Sequence, residues 1–484
     1  MIREFFNQLN EGGIRYCHWK SNGHLRDGIE GKTDLDILVD TQHEEEFGKV
    51  LNQHHFKPMI PPTEKASPFM CDYLGFDPAS GRLLHLHVHT GIIIGSKYLK
   101  NYILPIAETF LGSTTVDPET SVKIPEPKLE LMVLTLRIIL KYQIKQILKA
   151  QTQAKNIIPT HIAEEIGFLK DQIESFGDGA LIETGVLQES HQVIQEFHNR
   201  QGENRLSHWR MIRLQFRLKK IISKYRQLRG LRFVRTYSRN RLKNIWALRT
   251  DHYKKTMLGG GRTIAFIGVD GSGKSTVRTE IGKWLGWKLK VKYYYLGKQR
   301  KRTPSMFVIS LFLSINRRIY SVLKFLTLLK KAGDLLTALQ YVFAAKHKLT
   351  LYQNSLRDKQ SGSIVLFDRY PLDAFKTFFD PMDGPKISSY MKNNMGRFMK
   401  WCAKREAAYH RQIKPPDHLV LLEADRETVL RRKPENLTNE ETIKNKIRMV
   451  ESLSETEYPV VRIDASLTLR EVLRQIKKHL WEWL

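Results

Sequence analysis

The chain has 484 residues, 41% apolar and 27% charged, which supports folded cores over roughly two to four domains and excludes wholesale disorder. Cys17, Cys71 and Cys402 stand far apart in no metal-binding spacing, which excludes a disulfide framework or cysteine zinc site and fits a reducing, cytoplasmic setting. Net charge is +29. It is concentrated in residues 205–255 (17 Lys and Arg against Asp251 alone) and 298–348 (11 against Asp334 alone), leaving 51 basic and 48 acidic residues elsewhere. Two such tracts imply an anionic partner: nucleic acid, an acidic polymer or an anionic membrane surface. Solvated helix faces are the alternative reading.

The first residues, Met1 to Gln8, lack the apolar stretch of a signal peptide. Residues 35–39 and 83–88 read as strands, and the Pro58-Met-Ile-Pro-Pro stretch as a turn or loop. Asp34 and Asp36 alternate on the first strand and so share one face. Two carboxylates placed this way can hold Mg²⁺ carrying a nucleotide triphosphate. With Trp19-Lys20-Ser21 upstream, residues 1–110 resemble the nucleotidyltransferase superfamily, in which an Asp-x-Asp strand follows a small-residue turn. That family carries a third carboxylate on a later strand. Here residues 84–89 offer His85, His87 and His89, with Asp72 and Asp77 nearby in less strand-like surroundings. Alternate histidines can also bind a transition metal, although such sites draw ligands from several elements, so pocket or surface histidines are the preferred reading.

Residues 128–250 read as helical throughout. Residues 129–148 carry a dense apolar face, and Leu214, Leu218, Ile221, Tyr225 and Leu228 repeat at helical spacing. Gly259-Gly260-Gly261 reads as a flexible joint. Beyond it, strands at 263–267, 291–296, 364–367, 418–422 and 460–463 alternate with helical segments, the pattern of a parallel, doubly wound α/β domain. Residues 306–315 form an apolar run interrupted by Asn316-Arg317-Arg318; a buried helix pair or a membrane-lying segment fits it, a spanning helix does not.

Gly268-Val-Asp270-Gly271-Ser272-Gly273-Lys274-Ser275 matches G-x-x-x-x-G-K-[ST] in full between a strand and a helix. Such a loop turns successive N–H groups onto a polyphosphate at a helix N-terminus. Lys274 then neutralises the terminal phosphates and Ser275 ligates Mg²⁺. Asp368, ending the strand at 364–367, can hold the metal's water shell or orient the acceptor, and Arg369 can grip a phosphate. Arg431, Arg432 and Lys433 end a helix, with Lys444, Lys446 and Arg448 beyond, where mobile cations could stabilise a transferring phosphoryl group.

The loop through Thr276, Asp368-Arg369-Tyr370, the basic Arg431-Arg432-Lys433 and the closing strand at 461–465 make residues 262–484 resemble the thymidylate kinase family. The resemblance implies ATP-dependent phosphorylation of a nucleoside monophosphate with Mg²⁺, Lys274 on the donor phosphates, Arg369 on the acceptor phosphate and lid arginines over the transfer. The family's Glu-Pro-Gly after the second strand is replaced by Leu296-Gly-Lys-Gln-Arg-Lys-Arg-Thr-Pro304, followed by a long basic and apolar insertion.

The expected organisation is an α+β nucleotidyltransferase-like domain over 1–127, a basic helical connector over 128–256 and a P-loop domain over 257–484. A phosphotransferase using ATP and Mg²⁺ is the leading function. A sugar, glycan or lipid-linked acceptor at the inner membrane face is the second, favoured by the altered insertion. A nucleic-acid module is the third, with Trp209, Phe216, Tyr225, Phe233 and Tyr237 set among basic residues.

Overall fold

Strand alternation sorts residues 34–39 between two cores. Leu35, Ile37 and Val39 enter one apolar cluster with Phe5, Phe6 and Phe47, whereas Leu38 joins a second cluster on the opposite face. The two aspartates share that second face. The computed structural model describes residues 1–62, 66–142, 157–176, 185–202, 206–247, 254–297, 304–322, 327–372, 385–387, 396–432, 447–448 and 459–484. They form two compact units, Met1–Leu258 and Gly259–Leu484, within a mixed α/β chain.

In the first unit, β1 (Tyr16–His18), β2 (Asp34–Val39), β3 (Lys57–Ile60), β4 (Met70–Asp77), β5 (Arg82–His89) and β10 (Thr256–Met257) form a sheet in the order β1-β2-β5-β4-β3-β10. Only β2 and β5 run parallel within it, with Asp34 opposite His85 and Asp36 opposite His87. Hairpins β6 (Ile92–Gly95) with β7 (Lys100–Leu104) and β8 (Thr114–Val116) with β9 (Lys123–Pro125) follow. Helices Ile2–Glu11 and Glu44–Gln53 cover the first face. Helices Pro127–Lys141, Thr160–Phe176, Gly185–Gly202 and His208–Ile221 build the second core together with Cys17, Trp19, Leu38, Ile92 and Leu104. These described helices of the stretch expected as a connector therefore pack into this unit.

Three local expectations are corrected. Pro58 lies in β3 rather than in a loop; it needs no N–H there, and its carbonyl accepts from Leu258 N at 3.1 Å. Asp72 and Asp77 lie in the regular strand β4. The helical repeat expected from Leu214 to Leu228 breaks after Ile221. Ile222–Tyr225 tightens to a 3₁₀ turn, Arg226 is extended and bridges Tyr102, and buried Asn101 bonds both Leu228 N and Leu228 O. A second helix, Gly230–Ala247, starts afterwards.

The second unit is built on β11 (Thr263–Gly268), β12 (Val291–Tyr295), β13 (Ile364–Asp368), β14 (His418–Glu423) and β15 (Val460–Asp464), all parallel, in the order β12-β13-β11-β14-β15. The central strands are uninterrupted buried apolar runs, as sheets covered on both faces require. Helix Lys274–Gly286 packs against Leu469–Trp483, and Thr327–Gln360 against Pro304–Val322 and Arg397–Arg411. Gly261, expected in a flexible joint, is instead packed so closely that a Cβ would collide with the Ser363 and Lys359 carbonyl oxygens.

Candidate functional site

At the carboxyl end of β11 the chain turns through residues 269–273 into helix Lys274–Gly286. Gly271 and Gly273 take the left-handed φ values 98° and 89° that the turn needs, and Gly273 is the helix N-cap. The turn borders a solvent-open cavity of about 460 Å³ lined by Asp270, Gly271, Gly273, Lys274, Ser275 and Thr276, and by Tyr295, Asp368, Arg369 and Arg432. Phe266 pairs with Asp368 across β11 and β13, which sets the aspartate beside the loop. Ser275 Oγ donates to Asp368 Oδ2 at 3.1 Å. Lys274 is 7% exposed and donates to Val269 O at 2.7 Å. Arg369 has φ 64° and donates to Asp270 Oδ1 at 2.7 Å.

Gly268 ends β11, and Ser272 is buried beneath the turn with its amide on Val269 O. Asp425 accepts from Thr428 N and caps helix Arg426–Arg432, which carries Arg432 to the cavity; Arg431 is exposed and does not line it. Lys433, Lys444 and Lys446 lie outside the described residues. Two contributors escaped the sequence reading: Tyr295, and Arg278, whose guanidinium lies 3.6 Å from Asp368 Oδ2. Arg278 stands one helical turn beyond Ser275, a spacing that could have marked it. The oxygen pair of Ser275 and Asp368 suits a hard divalent cation.

In the first unit, parallel pairing of β2 with β5 sets carboxylates against imidazoles. Asp34 Oδ1 lies 2.8 Å from His85 Nδ1, and Asp36 Oδ1 lies 3.3 Å from both His87 Nδ1 and His89 Nε2. Asp72 reaches the same cluster from β4, 2.7 Å from His87 Nε2 and 3.1 Å from His85 Nε2. Lys20 Nζ pairs with Asp36 at 2.7 Å and Lys255 Nζ with Asp72 at 2.6 Å. Burial works to raise both carboxyls. Lys20 with His87 and His89 overrides it at Asp36, and His85, His87 and Lys255 override it at Asp72, so both stay below the ordinary carboxylate range. Burial pushes His89 down to about 3 despite Asp36, while Asp36 and Asp72 outweigh burial at His87 and raise it.

The three histidines thus do not stand alone on one strand. Asp34, His85 and His87, or Asp36, His87 and His89, could each hold one ion. With imidazoles among the donors, these sets suit a transition ion better than the oxygen-seeking Mg²⁺. Asp77 lies apart, bonding Ser80. Of the aromatics on the basic helices, Trp209 and Phe216 are exposed, whereas Phe233 and Tyr237 stack on one another. Among the described residues no helix is long and apolar enough to cross a membrane.

No protein-family model matches the chain. Over 226 residues, 44% of this chain, it is 28% identical to the uncharacterized ATP-binding protein YghR of Escherichia coli strain K12, covering 85% of that protein. Its counterpart in E. coli O6:H1 strain CFT073 matches to the same extent.

Proposed function

We propose that the second unit is a P-loop phosphotransferase of doubly wound topology that uses ATP, with a thymidylate kinase-like organisation over residues 257–484. The observation carrying this reading is the convergence of Lys274, Ser275, Asp368 and Arg369 on one cavity at the carboxyl end of a parallel sheet. The similarity to a protein named as ATP-binding supports the choice of nucleotide.

In this reading the amides of 270–275 and the helix N-terminus hold the donor phosphates. Lys274 leaves Val269 O to neutralise them. Ser275 and Asp368 would hold Mg²⁺, which when bound supplies charge neutralisation for the phosphates. Arg369, released from Asp270, grips the acceptor, and Arg432 faces the transferring group. An acceptor oxygen bonds to the terminal phosphorus as the bond to the ADP oxygen breaks, and positioned cations stabilise the spreading charge. We assign Arg431 to the same lid. Within the first unit, residues 1–127 are read as a nucleotidyltransferase-like domain with Asp34 and Asp36 as its metal-facing carboxylates, followed by the basic helices of 128–256, in a cytoplasmic protein.

The acceptor distinguishes a nucleoside monophosphate from a sugar, glycan or lipid-linked substrate. A screen of acceptors with γ-labelled ATP, run on the wild type beside Lys274→Ala and Asp36→Ala, tests the assignment. Transfer lost in Lys274→Ala supports it; transfer that survives that change refutes it.

A further inference from the structure

Helix Pro304–Val322 turns one large apolar face to solvent. Phe307, Val308, Leu311, Phe312, Ile315 and Ile319 are 43–58% exposed. At α-helical spacing they fall within an arc of about 140°. Met306 and Leu313, on the other side of the helix, are buried. A stripe of this size left in water marks an interaction surface.

The charge around the stripe decides what covers it. Arg317 and Arg318 continue the same helix, and Lys330 and Lys331 lie exposed on the helix packed against it. Over residues 298–348 a single acid, Asp334, stands against 11 basic residues. A second copy would bring this excess of positive charge against its own kind, whereas an anionic surface neutralises it. Helix Gly230–Ala247, in the first unit, repeats the combination independently. Leu231, Val234, Leu242 and Ile245 are 48–87% exposed beside Arg232, Arg235, Arg239, Arg241 and Lys243, with no acid in the helix. An exposed apolar stripe flanked by cations, on a helix that does not qualify to cross a bilayer, is the composition of a helix lying in the lipid interface.

We propose that the exposed face of Pro304–Val322 inserts into the headgroup layer of an anionic bilayer, with Arg317 and Arg318 at the lipid phosphates. This does not depend on the phosphotransfer reading, since it rests on surface chemistry outside the cavity.

The test is co-sedimentation of the full chain with phosphatidylcholine vesicles, with and without phosphatidylserine, together with sedimentation velocity of the protein alone. The wild type is expected to bind phosphatidylserine vesicles at least about tenfold more tightly than neutral ones. Leu311→Glu with Ile315→Glu should cut that binding at least about tenfold. Arg317→Gln with Arg318→Gln should weaken it by about fivefold per charge, with little change on neutral vesicles. Should the glutamate pair unfold the helix, seen as a lowered melting temperature, the exposed arginine pair carries the test. No preference of the wild type for anionic vesicles would overturn the proposal, as would full binding by the glutamate pair. A self-association that the glutamate pair abolishes, without vesicle binding, would assign the face to a second copy instead.

Discussion

The Arg369 guanidinium donates to the Asp270 carboxylate at 2.7 Å, so a residue leaving β13 is tied to the loop leaving β11. Arg369 makes this contact from a left-handed backbone, φ 64°, which costs an L-residue about 1–2 kcal/mol. Strain and function can be separated by substitution. Arg369→Gly should relieve the backbone and raise stability by about 1 kcal/mol, minus the lost pair, whose side chains are 32% and 36% exposed and which is worth little. Arg369→Ala should keep the strain. Both should lower kcat/KM for the acceptor by about 10²–10³ while leaving ATP affinity within a few-fold. Thermal melts and initial rates on the two variants check this; equal stability of the two would refute the strain argument.

Lys274 is buried by its own turn, and its ammonium rests on Val269 O at 2.7 Å. Lys274→Ala should leave the sheet intact, because the turn is held by glycine geometry and by the Ser272 amide on Val269 O. ATP turnover should fall by at least about 10³, the scale of removing a preorganised cation from developing charge. Circular dichroism beside turnover checks it, and near-wild-type turnover would count against the cavity as the reaction site.

The two candidate sites differed in how much of each could be read in advance. The loop from 268 to 276 is local: its glycines, lysine and serine lie within nine residues, between a buried apolar strand and a helix. Asp368 and Arg369 were also legible, because a four-residue apolar run, 364–367, leads into them. The cluster around Asp36 was only half legible. Asp-x-Asp is local, but Lys255 reaches Asp72 across 183 positions through the two-residue strand β10, and no periodicity announces that pairing. His85, His87 and His89 were visible as a set. Their carboxylate partners became clear only with the parallel register of β2 on β5 and the antiparallel register of β4. The break at Arg226 was hidden for the same reason, since it depends on a distant side chain, Asn101.

Gly261 provides a test of packing alone. Its Cα faces the Lys359 and Ser363 carbonyls at the end of helix Thr327–Gln360, and a Cβ would strike backbone that cannot move without disturbing the start of β13. Gly261→Ala should cost about 2 kcal/mol or more. Gly286→Ala, where a Cβ has open space near a helix end, should stay within about 1 kcal/mol of wild type. Urea unfolding of the two variants side by side measures the contrast, and equal midpoints would remove the steric argument.

Glu130 gives the first unit a pH dependence of predictable sign. It is 3% exposed on helix Pro127–Lys141 and accepts from Asn22 N at 3.0 Å and from Asn22 Nδ2 at 2.6 Å, fastening the loop that follows Lys20. Burial is the largest influence and pushes its carboxyl from 4.5 up to about 7; the Asn22 hydrogen bonds and Arg137 oppose this, and Glu165 adds to it. The folded state therefore keeps a proton that the unfolded chain has already released. Stability from this group is fully present below pH 4.5 and declines as pH rises towards 7. The decline spans 2.5 pH units, on the order of 3 kcal/mol in total. Glu130→Gln cannot titrate and should escape it. The opening free energy of the 127–141 amides, read by hydrogen exchange in both proteins at matched pH, should therefore diverge between pH 5 and 7 in favour of the variant. Parallel profiles across that window would show that Glu130 is ionised in the fold, and that Arg137 and the Asn22 donors overcome its burial.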